Sequence, residues 1–233
     1  MLDIIAINKT YSIFGRVKIL KITYWSDYAC PYCYIGEARL KKAIKGLNIP
    51  IEIEMKSFQL DVNAPKKSVG DTQTRFANKY GISFAQAGLQ IEVISRMGRD
   101  EGLDFKYATT LFTNTFDAHR LTKLAQSKNN PALTETLIEN LFRAYFTDNK
   151  ELANIELLQS IGEKSGLAAP EVKNLLSSEQ FAEQVKQDEY EAFQRGIHGV
   201  PFYVIGDKYT ISGTQNADLM RESILQTYRE NVL

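Results

Sequence analysis

The sequence predicts an α/β fold in which a βαβ unit near the start and a ββα unit near the end enclose a large all-helical insertion. Three observations carry this prediction. Runs rich in β-branched and aromatic residues lie at Val17 to Trp25, at Ile49 to Met55 and at Val200 to Ser212. From Thr72 to Phe193 nearly every apolar pattern instead has helical spacing. Helix-spaced stretches also separate the first two strand runs and follow the last one.

Val17 to Trp25 (VKILKITYW) has no long polar gap, as a largely buried strand requires. From Pro31 to Leu47, Leu40, Ala43, Ile44 and Leu47 recur at helical spacing, and the helix is expected to stop near Gly46 or Asn48, ahead of Pro50. Ile49, Ile51, Ile53 and Met55 then alternate with Pro50, Glu52, Glu54 and Lys56, a half-exposed strand whose charged face suits a sheet edge. In the insertion, Ser83 is placed to cap a helix with Ala87, Ile91, Ile94 and Met97 on one face, ending at Gly98. A second helix is expected from about Asn114 to Lys128. Pro131 opens a third, with Leu133, Leu137, Leu141 and Tyr145 at steps of four, and Asn154 and Pro170 open two more. The last, from about Ser178 to Arg195, is expected to present Phe181, Val185 and Phe193. Short gaps between these helices predict one packed lobe. Val200 to Ile205 and Tyr209 to Ser212, joined through Gly206-Asp207, read as a hairpin, and Asn216 is placed to cap a final helix striped by Met220, Ile224 and Tyr228. The chain therefore divides into an extension at 1–16, a thioredoxin-like unit at 17–62 and 194–233, and a helical insertion at 63–193. Its order, βαβ then helices then ββα, is that of a thioredoxin-type fold.

At 233 residues and 44% hydrophobic content the chain is long enough to bury a full core. Its 28 basic residues balance 28 acidic ones without any basic run of five or more, so nucleic acid is not an expected partner. No stretch approaches the ~20 apolar residues of a membrane span. Within Met1 to Ile13 the longest apolar run is Ile4 to Ile7, too short for a signal-peptide core and without a small-residue cleavage site. A cytoplasmic location and no membrane partner are the expectation.

The chain has two cysteines, Cys30 and Cys33, in a C-P-Y-C motif directly after the first strand. Pro31 suits the first position of a helix, which makes Cys30 its N-cap. There a sulfur faces the unpaired N–H groups of the first turn, including those of Tyr32 and Cys33, and the positive end of the helix dipole. Cysteine pKa values at such positions fall from about 8.5 to the range of about 3.5 to 7.5, the signature of a nucleophile, with Cys33 one turn on to attack a mixed disulfide. Tyr32 brings no positive charge, so a less oxidising pair is expected than a histidine there would give. Half of a zinc site would need His119 and His198, which are isolated, whereas structural zinc ligands come in close sequence pairs. No metal or other cofactor is expected beyond the redox-active pair. Pro201, in Gly199-Val200-Pro201-Phe202, reads either as a strand-opening proline or as a cis proline beside Cys30 that turns the Val200 backbone towards an extended substrate. His198 either lines the same cleft or stands on a surface loop. Asn114, Asp117 and His119 either face the cleft or belong to a capped helix packed through Phe116 and Leu121.

Three segments, YWSDYACPYCYIG at Tyr24 to Gly36, NTFDAHRL at Asn114 to Leu121 and GVPFYVIGDKYTISGTQ at Gly199 to Gln215, resemble the cytoplasmic FrnE-like branch of the DsbA family of thioredoxin-fold thiol-disulfide oxidoreductases. The resemblance implies that Cys30 attacks, Cys33 resolves and Pro201 is the cis proline. It also implies protein or small-molecule disulfides and thiols as substrates, with Pro31, Tyr32, Val200, Pro201, His198, Asn114 and His119 as the residues that would meet them. Members of that branch commonly carry tryptophan where this chain has Tyr32. The nearest alternative is a glutathione-dependent isomerase or kappa-class-like transferase of the same superfamily, with glutathione as co-substrate. Those isomerases resemble this chain around Asn114 to Leu121 but typically carry serine at the position of Cys30.

Overall fold

The computed structural model describes residues 19–232, so the expected extension at 1–16 and the first two residues of the first expected strand lie outside it. The elements run β1 (Leu20–Ser26), α1 (Pro31–Ile44), β2 (Ile51–Ser57), α2 (Thr72–Tyr80), α3 (Phe84–Asp100), a 3₁₀ turn (Tyr107–Thr109) and α4 (Phe116–Gln126). There follow α5 (Pro131–Phe146), α6 (Ile155–Lys164), α7 (Ala169–Leu176), α8 (Ala182–Gln194), β3 (Phe202–Ile205), β4 (Tyr209–Ser212) and α9 (Ala217–Val232). The sheet order is β2-β1-β3-β4, with β1 parallel to β2 (Leu20 opposite Ile51) and both remaining pairs antiparallel. The parallel pair is the one joined through a helix, α1, because parallel neighbours need a crossover long enough to return the chain to its starting edge.

Alternation along β1 divides the molecule into two layers around the sheet. Tyr24 points to α1, where its hydroxyl donates to Glu37 Oε2 at 2.7 Å. Trp25 points the opposite way, and its Nε1 donates to the Asp188 carbonyl of α8 at 3.0 Å. The Trp25 side forms a small core with Ala192, Ile197 and Val204, while the larger core runs from β1 and α1 through the helices. Tyr34, the residue after Cys33, stacks on Phe142 of α5 with ring centroids 5.1 Å apart and packs against Phe105 and Phe146. The helical lobe is thereby built directly onto the helix that begins at the cysteines.

Several local expectations change in the fold. Gly98 does not end α3, which continues to Asp100; it is a point of close packing where an added Cβ would lie 2.4 Å from Phe105 Cγ. Phe181 precedes α8 with φ of 63°, and Phe193 is 68% exposed, so the apolar stripe expected at Phe181, Val185 and Phe193 is replaced by Ala182, Val185 and Ala192. The reason is Asp188, which also faces inward: its carboxylate accepts from Ser57 N at 2.8 Å and meets Lys123 Nζ at 2.5 Å, so this face is small and polar rather than aromatic. Ile53 on β2 is 42% exposed, because β2 is an edge strand whose buried positions, Met55 and Ser57, come at its end. β3 begins at Phe202, which leaves Val200 and Pro201 in the preceding turn. In the hairpin, Gly206 and Asp207 both have positive φ, the conformation their residue types accommodate best. Asn216 accepts from Leu219 N at 2.8 Å, and Ser83 and Gln86 form a complete capping box on α3.

Candidate active site

Cys30 is the N-cap of α1, with extended backbone angles and Pro31 at the first helical position. Both cysteines are free thiols, Cys30 3% and Cys33 1% exposed. The Val200–Pro201 peptide bond is cis, and the Cys30 Sγ donates to the Val200 carbonyl at 3.5 Å across 170 residues of sequence. These contacts bring together Cys30, Cys33, Pro31, Val200 and Pro201, with Tyr32 half-exposed at the rim and its carbonyl held by the Thr214 hydroxyl at 2.8 Å.

The cradle of N–H groups expected around the Cys30 sulfur is not what forms. Cys30 makes no side-chain capping bond, while its carbonyl accepts from Cys33 N at 3.1 Å and from Tyr34 N at 3.4 Å, as the carbonyl of an N-cap does. The sulfur turns instead to the Val200 carbonyl. Burial pushes the Cys33 thiol well above the ordinary cysteine range, and the adjacent Cys30 sulfur pushes it further.

Two residue sets beneath the cysteines were not singled out by sequence reasoning. Asp27, 2% exposed, fastens the turn ahead of Cys30: its carboxylate accepts from Leu60 N at 2.8 Å, from the Thr115 hydroxyl at 2.8 Å and from Ala29 N at 3.3 Å, while its carbonyl accepts from Cys30 N at 3.1 Å. An acid between a strand and a cysteine was the available signal. The second set is Gly36, Tyr203, Tyr24 and Glu37. The Tyr203 ring stacks on Tyr24, and its buried hydroxyl makes no hydrogen bond among the described residues. Burial pushes the Glu37 carboxyl above the usual range, an effect partly offset by the charge of Lys41. A Cβ at Gly36 would lie 2.3 Å from the Tyr203 hydroxyl and 3.1 Å from Pro201 Cγ, so glycine is what lets α1 approach the proline turn. Gly36→Ala is expected to cost about 1–3 kcal/mol in urea denaturation. Adding Tyr203→Phe should recover most of that loss; simple additivity of the two changes would exonerate the hydroxyl.

The remaining predicted site residues divide. His198 is exposed, three residues before Pro201. Asn114 is occupied internally: its Oδ1 accepts from Phe116 N at 2.9 Å and its Nδ2 donates to the Val62 carbonyl at 3.2 Å, tying the loop after β2 to the start of α4. His119 does not face a cleft. It is fully buried, 5.0 Å from the Tyr28 ring centre, with Nε2 3.5 Å from Asp27 Oδ1 and neither ring nitrogen hydrogen-bonded among the described residues. The inward turn of α4 that buries Ala118, Leu121 and Thr122 carries His119 with it, and Asp117 is drawn to Arg120 at 2.7 Å. Among the described residues no three His, Cys, Asp or Glu side chains gather as a metal site, and no helix is long and apolar enough to cross a membrane.

A four-stranded sheet with βαβ and ββα halves, a helical lobe between them and a cysteine pair opening α1 beside a cis proline define a thioredoxin-fold protein of the DsbA type. The chain belongs to the DSBA-like thioredoxin domain family, whose model matches residues 21–225. It is similar to a probable DsbA oxidoreductase from Streptomyces coelicolor, with 33% identity over 91% of each chain and a TM-score of 0.84. At 16% identity it shares the fold of a 2-hydroxychromene-2-carboxylate isomerase, with a TM-score of 0.69 over 91% of this chain and 98% of that one. It shares the fold, too, of the cytosolic disulfide reductase DsbM from Pseudomonas aeruginosa, at 12% identity and a TM-score of 0.59 over 91% and 97% of the two chains.

Proposed function

We propose that this protein exchanges disulfides through its C-P-Y-C motif, in the manner of the FrnE-like branch, with Cys30 as the attacking sulfur and Cys33 as the resolving one. A single observation carries the reading: the sulfur of the residue that opens α1 sits 3.5 Å from the carbonyl that precedes the cis proline, while the second sulfur is sealed behind it. In the reducing direction, the Cys30 thiolate forms a bond to one sulfur of the substrate disulfide and the other substrate sulfur leaves as thiolate. Cys33 then attacks Cys30 Sγ and expels the second substrate sulfur. Two electrons pass from the dithiol to the substrate, and the protons lost by the two cysteines end on the two released thiols. The oxidising direction is the reverse.

Pro31, Tyr32, Val200 and Pro201 surround the sulfur that substrate must reach, with His198 at the edge, so these residues are the proposed contact set. Substrates are protein or small-molecule disulfides and thiols, with no cofactor beyond the cysteine pair itself and a reducing cytoplasm as the setting. The burial that raises the Cys33 thiol leaves it little thiolate at neutral pH. Brief alkylation of the reduced protein at pH 7 is therefore expected to label Cys30 well ahead of Cys33. Equal, slow labelling of both would remove the basis for separate roles.

The fold shared with the isomerase supports a second reading, a glutathione-dependent isomerase or transferase. Retention of cysteine at both positions favours exchange. Activity that survives Cys33→Ser yet requires glutathione would reverse that preference.

A further inference from the structure

His119, on the inward face of α4, is a titratable group that the exchange chemistry leaves unused. It is fully buried, and neither ring nitrogen has a hydrogen-bond partner among the described residues, although an unsatisfied buried donor is costly. Its Nε2 lies 3.5 Å from Asp27 Oδ1, just beyond a normal hydrogen bond, so a small movement of the ring closes the contact. The ring packs on Tyr28 with 5.0 Å between centroids.

Asp27 connects this ring to the attacking cysteine. Its Oδ1 accepts from the amide of Ala29 at 3.3 Å and its carbonyl accepts from the amide of Cys30 at 3.1 Å, so one residue makes both bonds of the turn that delivers Cys30 to the start of α1. Leu60 N and the Thr115 hydroxyl complete its set, at 2.8 Å each. All of these donors are neutral, and they orient the carboxylate without cancelling its charge. A buried anion in this turn opposes a second anion on the Cys30 sulfur, and the interior screens that opposition poorly.

The other charged groups around α4 do not supply a cation. Lys123, one turn along from His119, is paired with Asp188 of α8 at 2.5 Å. Arg120 is turned to Asp117 and to the carbonyls of Leu175 and Gln180. Tyr28 is a phenol that burial keeps protonated. Glu189 of α8 is an acid, pushed up by burial and drawn partly back by His119, and its Oε1 accepts from Gln59 N at 3.1 Å. Among the described residues no lysine or arginine reaches the Asp27 carboxylate, and His119 is the basic side chain beside it.

We propose that His119 is a positioning residue for Cys30: through Nε2 it holds the Asp27 carboxylate, and when protonated it cancels the charge that opposes the Cys30 thiolate. The inference rests on the exchange reading above and deepens it. As pH falls an imidazole gains its proton, so the opposing charge fades over the range in which thiolate would otherwise be lost. Cys30 is therefore expected to stay reactive to lower pH than a thiol beside an uncancelled carboxylate.

The test is the rate of Cys30 alkylation by iodoacetamide in the full-length Cys33→Ser protein, where Cys30 is the remaining thiol. His119→Gln keeps a donor towards Asp27 but cannot take the charge. At about pH 5.5 it is expected to slow alkylation by about three- to ten-fold, while at about pH 8.5 the two rates should agree within about two-fold. Equal rates at both pH values, or the same loss at both, overturn the inference. If Cys30 is inert with His119 intact, the exchange reading fails separately. Amide hydrogen exchange then decides the positioning role: Ala29 and Cys30 amides that exchange about ten-fold faster in His119→Leu and recover in His119→Gln sustain it, whereas amides indifferent to both changes overturn it.

Discussion

Replacing Cys30 with serine is expected to reduce disulfide exchange by about a thousand-fold or more, since a hydroxyl cannot enter the exchange and the remaining sulfur, Cys33, is buried and held as a thiol. Cys33→Ser should fail differently. The first attack still proceeds, but the mixed disulfide on Cys30 has no internal resolving group and accumulates as a stable adduct whose mass equals protein plus one substrate half. The pair of outcomes separates the two roles more sharply than either alone. An adduct that formed on Cys33 in the Cys30→Ser protein at the rate seen with Cys30 would show that the roles are reversed or shared. Loss of folding is not expected to confuse the result, because serine is close to cysteine in volume and the side chain of Cys30 makes no capping bond.

Asp188→Ala is expected to be the most damaging change away from the cysteines, at about 3–5 kcal/mol of stability. The carboxylate is 6% exposed and bridges three elements, accepting from Ser57 N on β2 and from Lys123 Nζ on α4 while standing on α8. Alanine would leave Lys123, itself 9% exposed, as a buried cation without its partner and would orphan the Ser57 amide. Denaturant titration of the variant checks this, and the double change Asp188→Ala/Lys123→Met should recover a substantial part of the loss because no charge then remains to be compensated. A loss under about 1 kcal/mol would mean that water reaches the site and that the pair does not hold the edge strand as described.

Much of the architecture was legible because it is written in local periodicity. Strand-type runs marked all four strands, and helical spacing with Ser83, Pro131, Asn154 and Asn216 at the caps marked most helices. The misplacements have a common cause: a residue's local pattern was outweighed by what lies across from it. Gly98 reads as a helix stop until Phe105 is seen packed on it, and Phe193 reads as core until the small face around Asp188 is seen to fill that place. His119 is the clearest case in the site. Its helix phase is correct, but only the packing of α4 against Tyr28 decides which way the face looks.

The sequence by itself determined the order of the strands and of the helices other than α2, the helix start at Cys30 and the closeness of the two cysteines, because a proline after an N-cap and a three-residue spacing act within a few bonds. Tertiary structure alone decided that the Cys30 sulfur meets the Val200 carbonyl and that Gly36 yields space to Tyr203. Those contacts join residues 167 and 170 positions apart, where hydrogen-bond direction and steric fit depend on how elements pack and not on any pattern readable along the chain.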